Sequence, residues 1–241
     1  MTSAREISPG LVIQGFIPPL ELKNFKLVAF DMDSTLINIE CVDEIAGAAG
    51  RKEEVAAITE AAMRGEIADY KESLRRRVAL LRGVTVADME QVFTERLQLN
   101  PGAAQLVAAC QAAGLKTLLV SGGFTFFTDR IRDQLGIDFT RSNILEIESG
   151  ANCGQLTGRM VDQPWGDICD GEEKRRMLLS TCAELGITAQ QAIAVGDGAN
   201  DLPMMGAAGL SVAYQAKPRV REQAMVAINS GGLDRLLEVI W

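Results

Sequence analysis

The chain has no histidine among its 241 residues. That absence excludes a Ser-His-Asp triad, a Cys-His pair, a phosphohistidine intermediate and a histidine metal cage, so acid-base chemistry falls to Asp, Glu, Lys, Tyr or Cys. The five cysteines, Cys41, Cys110, Cys153, Cys169 and Cys182, form no Cys-x-x-Cys pair, which argues against zinc and disulfide frameworks and for reduced thiols in the core. No apolar run approaches the roughly 18 residues that a membrane span requires. The first residues, Met-Thr-Ser-Ala-Arg-Glu-Ile-Ser-Pro-Gly, lack the apolar centre of a signal peptide, so a cytoplasmic location with no membrane partner is expected. Basic charge is scarce as well. A net charge of −8 argues against a nucleic-acid partner, because phosphate-backbone binding needs clustered Lys and Arg.

What is present is an ordinary globular composition, 47% hydrophobic and 23% charged, long enough for one large domain or one domain with a small insert. Residues 1–25, with Leu11-Val12-Ile13 and then Pro18-Pro19, read as a leader with one edge strand. Residues 41–98 read as helical, with Val55, Ile58, Ala62 and Met63 and then Leu74, Val78 and Leu81 at helical spacing, and form an inserted helical cap. The core is then 26–40 together with 99–241. There, short apolar strands at Leu27–Phe30, Leu115–Val120, Ala192–Val195, Leu210–Ala213 and Met225–Ile228 alternate with helices, the pattern of a Rossmann-like α/β parallel sheet. Ile144–Ile147 and Gln155–Val161, separated by Glu-Ser-Gly-Ala-Asn-Cys-Gly, read as an edge hairpin.

Four segments converge on the carboxyl ends of these strands, where open parallel sheets bind ligands. After Leu27–Phe30 come Asp31 and Asp33, two carboxylates two residues apart, which repel unless a cation or a shared proton lies between them. After Leu115–Val120 comes Ser121-Gly122-Gly123-Phe124, where glycines permit close backbone approach and a helix start favours an anion. After Ala192–Val195 comes Gly196-Asp197-Gly198-Ala199-Asn200-Asp201, and hard oxygen ligands of this kind suit Mg²⁺. Asp170 and Glu173 resemble a capping arrangement, which puts Lys174 in a first helical turn against the helix dipole; such a breach of local rules hints at a task. In the cap, Asp69 can cap a helix through Leu81. At about 100° per residue, Tyr70, Leu74, Arg77, Val78 and Leu81 share its apolar face, whereas Arg75 and Arg76 turn outward. An arginine aimed inward usually grips a carboxylate or a phosphate.

Taken together, Asp31-x-Asp33-Ser34-Thr35, Ser121-Gly122-Gly123-Phe124, Lys174 and Gly196-Asp197-Gly198-x-Asn200-Asp201 resemble the haloacid dehalogenase superfamily from about Leu27 to the C-terminus. Glu40, nine positions after Asp31, and the segment Ser73-Leu74-Arg75-Arg76-Arg77-Val78 resemble its phosphoserine-hydrolysing branch. The resemblance implies an Mg²⁺-dependent phosphoric monoester hydrolase, acting on phosphoserine through an aspartyl phosphate in the last step of serine biosynthesis. It implies that Asp31 is the nucleophile and Asp33 the acid and base. Mg²⁺ would lie on the Asp31 and Asp197 carboxylates and the Asp33 carbonyl. Ser121, Gly122, Lys174 and Asn200 would bind the phosphoryl group, and Asp201 would orient the metal's surroundings. Glu40 and Arg77 would read the ammonium and carboxylate of the substrate. Tyr70 stands where the family usually has Phe, a departure that bears on selectivity. Residues 1–25 are too short for the amino-acid-binding regulatory domain of many bacterial relatives, so feedback through one is not expected. Two other functions share a phosphorylated aspartate: a phosphotransferase that passes the group to homoserine or another small alcohol, and a non-enzymatic receiver-like domain.

Overall fold

The apolar runs lie side by side in one nine-stranded sheet. The computed structural model describes residues 4–63, 66–150 and 153–241. Its strands are β1 (Arg5–Ser8), β2 (Leu11–Ile13), β3 (Leu27–Phe30), β4 (Lys116–Phe124), β5 (Phe139–Ile147), β6 (Leu156–Val161), β7 (Ala192–Gly196), β8 (Leu210–Tyr214) and β9 (Val226–Ile228). They are ordered β1-β2-β9-β8-β7-β3-β4-β5-β6. The run from β9 to β5 is parallel, while β1, β2 and β6 add antiparallel edges. β3 is central, with β4 on one side and β7 on the other, so the chain reverses its direction of winding there. The crevice at such a reversal is the expected ligand site.

Both faces of the sheet are covered, which is why its parallel strands read as continuous apolar runs. Along β3 the period of two sends Val28 and Phe30 to one face and Leu27 and Ala29 to the other. The first face packs helices α5 (Ala103–Ala112) and α6 (Thr125–Leu135), and its core continues into α1 (Cys41–Ala48), α2 (Lys52–Met63), α3 (Tyr70–Ala79) and α4 (Val86–Glu95). The second is lined by small residues, among them Ala29, Ala194 and Ala213, under α7 (Gly171–Glu184), α8 (Leu202–Ala207) and α9 (Pro218–Gln223). The expected α/β class and mostly parallel sheet are borne out.

Several local expectations differ from what is observed. Residues 4–25 contribute two strands, and β2 pairs with β9, so this segment extends the sheet. Ser121–Phe124 continues β4 instead of opening a helix; α6 begins at Thr125. Two consecutive glycines look like a turn, but here they form an irregular strand end. β5 starts at Phe139, ahead of the expected Ile144, because its first part pairs parallel with β4 before the rest pairs antiparallel with β6. The helix capped by Asp69, which accepts from the Lys71 amide at 3.0 Å, ends at Ala79 instead of Leu81. Of the cysteines, Cys153 is exposed and the other four are buried. The positions of Met1, Thr2 and Ser3 in the leader, the side chain of Met63, and Ala151 and Asn152 in the hairpin loop lie outside the described residues.

Candidate active site

Burial dictates the electrostatics at the end of β3. Lys174 is 0% exposed, and its ammonium lies 2.7 Å from Asp31 Oδ1 and 2.6 Å from Asp201 Oδ1. Burial alone pulls its pKa down, but Asp201 and Asp31 more than offset this and hold it above the ordinary lysine value. That is the physical answer to a cation in the first turn of α7: two buried carboxylates need it. Asp170 Oδ1 caps the helix by accepting from the Glu173 amide at 2.9 Å. The Glu173 side chain does not return to Asp170; it pairs instead with Arg141 and Arg176.

Asp31 also accepts from the Met32 amide at 2.7 Å. Burial and the charges of Asp201 and Asp197 push its pKa well up, and Lys174 works against them. One ligand oxygen each from Asp31, Asp197 and Asp201 can be chosen within 4.8 Å of one another. Asp197 is pushed to about 7, by burial first and then by Asp201 and Glu40. Three acids so close, with one ammonium to answer them, form a donor set that fits a divalent cation. Within it the roles differ. Both Asp201 oxygens are engaged, Oδ1 by Lys174 and Oδ2 by the Asp197 and Gly198 amides at 3.1 and 2.9 Å. Asp197 Oδ1 accepts from the Thr35 hydroxyl at 3.2 Å. Among the described residues Asp31 and Asp197 each retain an oxygen without a hydrogen-bond partner. Gly196 is required by this packing, since a Cβ there would meet the Asp201 carboxyl carbon at 2.5 Å.

Asp33 follows on an irregular turn, Met32–Leu36, in which Ser34 takes φ 56°. A non-glycine residue in that region costs energy and marks functional sites; here the Ser34 hydroxyl donates to Glu40 Oε1 at 2.7 Å. Burial, then the Glu40 charge, raise Asp33 to about 7, while the Cys41 thiol and amide pull it back. A carboxyl with that pKa can both give and take a proton near neutrality. Ser121, 1% exposed, accepts from the Gly123 amide at 2.8 Å. Gly123 lies so near the acidic turn that a Cβ on it would meet Asp33 Oδ2 at 3.2 Å. Asn200 belongs to the Asp197–Asp201 loop, its Oδ1 crowding Gly198.

The helical segment reaches the same place through α3. The Tyr70 hydroxyl lies over Gly122, where a Cβ would meet it at 2.2 Å, and burial pushes its pKa up while Lys174 and Arg77 pull it back. Arg77 is half-buried, whereas Arg75 and Arg76 are exposed, as the helical spacing predicts. Arg77 Nε has no hydrogen-bond partner among the described residues. The same holds for the buried Oδ1 of Asp43 on α1, whose pKa burial raises and Arg77 restrains. Two contacts escaped the sequence reading. Cys41 lies close enough to Asp33 to lower its pKa, and Asp167 binds both Lys71, at 2.7 Å, and Arg75, tying α3 to the loop before α7.

Such an acidic strand end facing a buried lysine and a glycine-rich strand end defines a class. Residues 25–209 match the model of the haloacid dehalogenase-like hydrolases, and the chain belongs to that family. A phosphoserine phosphatase of Polaromonas sp. is 78% identical over 98% of this chain and 98% of its own length. One from Albidiferax ferrireducens is 76% identical over 97% of each. Among solved structures, a phospho-aspartyl intermediate analogue of phosphoserine phosphatase superposes with a TM-score of 0.81 at 36% identity, covering 90% of this chain and 99% of that one. A substrate-bound phosphoserine phosphatase complex gives 0.81 at 35%, covering 90% and 99%. Membership in a hydrolase family sets aside the receiver-like reading. No described helix is long and apolar enough to cross a membrane.

Proposed function

We propose that this enzyme is an Mg²⁺-dependent phosphoserine phosphatase that hydrolyses O-phospho-L-serine to L-serine and phosphate, the last step of serine biosynthesis, in the cytoplasm and without a nucleic-acid partner. The observation that carries the reading is the Asp31–Lys174–Asp201 chain with Asp197 beside it. It holds a carboxylate oxygen in a buried, positively compensated place, which is what a phosphoryl acceptor needs. The identity of the relatives over nearly the whole chain supports the substrate class.

In this reading Asp31 attacks phosphorus and the phosphorus–oxygen bond to serine breaks as Asp33 gives its proton to the departing oxygen. Asp33, now a carboxylate, takes a proton from water, whose oxygen attacks the aspartyl phosphate and frees Asp31. Lys174, Ser121 and Gly122 receive the phosphoryl oxygens, with Asn200 alongside. Mg²⁺, held by the Asp31 and Asp197 carboxylates and the Asp33 carbonyl, would neutralise charge on the transferring group, and Asp201 would fix the loop that carries Asp197. Residues 41–98 serve as a cap on a core of 26–40 and 99–241, with 1–25 as a leader on the sheet edge. Glu40 meets the substrate ammonium, Arg77 its carboxylate, and Tyr70 closes the pocket over Gly122.

The test is phosphate release from phosphoserine, phosphothreonine, phosphoethanolamine, a sugar phosphate and an aryl phosphate, with Mg²⁺ or excess chelator, and with homoserine offered as an acceptor. The expected result is a preference for phosphoserine, dependence on Mg²⁺ and no phosphohomoserine. Full activity in chelator, a faster sugar phosphate, or transfer to homoserine in place of hydrolysis would overturn the reading.

A further inference from the structure

Between the paired positions Val120–Arg141 and Phe124–Asn143, β4 carries three residues, Ser121, Gly122 and Gly123, where β5 carries one, Ser142. The surplus lifts the glycine segment off the ladder, and a main-chain carbonyl that leaves its ladder at a half-buried place must find another donor. Asn143 supplies it. Its Nδ2 donates to the Gly122 carbonyl at 2.8 Å and its Oδ1 accepts from the Cys169 amide at 2.8 Å. The side chain is 1% exposed. The neighbouring Ser142 is anchored to α6 by a 2.7 Å hydrogen bond with Thr128, so β5 is held firmly on both sides of the fork. Cys169 precedes Asp170, the cap of α7, and Lys174 lies one turn further on. A single carboxamide therefore joins the glycine segment to the start of the helix that carries the buried lysine.

We infer that Asn143 is a positioning residue for the phosphoryl site, setting the distance between the Ser121–Gly122 segment and Lys174; the inference rests on the reading of those groups as phosphoryl ligands. Only a side chain with one donor and one acceptor at this reach makes both bonds. An aspartate would turn a carboxylate oxygen on the Gly122 carbonyl, and a leucine of similar size would leave that carbonyl and the buried Cys169 amide without their partner.

Asn143→Asp and Asn143→Leu are compared with wild type by turnover of phosphoserine and of an aryl phosphate, and by calorimetric binding of inorganic phosphate with Mg²⁺ present. Because a misplacement of about 1 Å can cost about a hundredfold, kcat should fall roughly ten- to a hundredfold for both esters alike, and phosphate should bind at least about tenfold more weakly to the folded variant. A folded variant whose kcat and phosphate affinity stay within about threefold of wild type overturns the inference. So does a variant that only lowers the unfolding midpoint, which is all that a merely structural asparagine predicts. If neither variant folds, Asn143→Ser, which leaves room for a bridging water, is read in the same way. Phosphate binding needs no turnover, so a wild type that binds phosphate without hydrolysing phosphoserine defeats the functional reading and still tests Asn143.

Discussion

At the end of the sheet the buried ammonium is answered within the protein, whereas on the helical segment a guanidinium nitrogen is left open. Lys174 reaches Asp31 and Asp201 together, and the second oxygen of Asp201 is held by two amides. Arg77, by contrast, keeps a buried Nε with no partner among the described residues, and the same is true of one carboxylate oxygen each on Asp43 of α1 and Asp33 at the sheet end. A buried charge must be paired or pay heavily for its dehydration. For Lys174 the sheet end has met that cost during folding, while Asp31, Asp33 and Asp197 beside it keep raised pKa values. If Arg77 reads the substrate as proposed, a ligand with the complementary charge would relieve a penalty there that others leave in place, and binding energy would become selectivity. Damage to the first region should therefore affect every substrate, and damage to the second only the one it reads.

The largest effects belong to the sheet end. Asp31→Asn should remove turnover of all phosphomonoesters by several orders of magnitude with the fold intact, since an amide is not a nucleophile; retention of more than about a tenth of wild-type activity would remove Asp31 from the mechanism. Lys174→Met should abolish activity and also cost about 3–5 kcal/mol in urea unfolding, because it strands two buried carboxylates. The sign with pH follows: burial and neighbouring acids already raise the Asp31 pKa, so its protonation relieves the repulsion and the deficit should shrink as the solution is acidified. A Lys174→Met protein as stable as wild type at neutral pH would erase the contrast between the regions.

On the helical segment, Arg77→Ala should weaken phosphoserine kcat/KM by about 2–5 kcal/mol, the loss associated with one partner of a buried charge-assisted pair. An aryl phosphate has no carboxylate to offer and should change far less. Equal losses on both substrates would mean that the segment acts as a lid without reading the substrate.

Much of this contrast was legible before the fold was known, because its parts are local. Asp31, Asp33, Asp197 and Asp201 follow apolar runs directly, Lys174 violates the helix-dipole rule, and one arginine of three falls on an apolar helical face. Contacts that join distant stretches left no such trace. Asn143 meets Gly122 and Cys169 only because β5 pairs with β4 out of step, and nothing around Phe139–Ser142 marks the strand, since Thr140, Arg141 and Ser142 break the apolar alternation. Asp167, far from α3 along the chain, shows no sign in sequence of binding Lys71 and Arg75. Cys41 reads as core packing, which its burial bears out, yet it also touches Asp33.

A smaller effect would separate the two halves of the proposed reaction. Asp33 keeps its proton up to about 7 because burial and Glu40 disfavour its charge. In the proposed mechanism it would serve as the acid below that value; above it the proton is lost to solvent. At saturating Mg²⁺, which displaces protons from Asp31 and Asp197, phosphoserine kcat/KM should fall about tenfold per pH unit above about 7. An aryl phosphate with a good leaving group needs no such proton and should stay level over that range. A parallel decline for both would take the leaving-group proton away from Asp33.

The smallest effects test whether helical geometry alone selects Arg77. Arg76 is exposed and pairs with Glu72 one turn away at 2.7 Å, an exposed i, i+4 pair whose loss by Arg76→Ala should change stability by no more than about 0.5 kcal/mol. Arg75 also points away from the apolar face but lands on Asp167, which Lys71 shares. Arg75→Ala should therefore cost somewhat more, up to about 1 kcal/mol in stability, since both ends of the pair remain well solvated. Neither substitution should shift the ratio of phosphoserine to aryl phosphate turnover, because both guanidinium groups are exposed and already paired with carboxylates. Steady-state kinetics on both esters, with urea unfolding of each variant, reads these differences. If Arg75→Ala or Arg76→Ala lowers that ratio more than Arg77→Ala does, the open charges on the helical segment are not the ones that read the substrate.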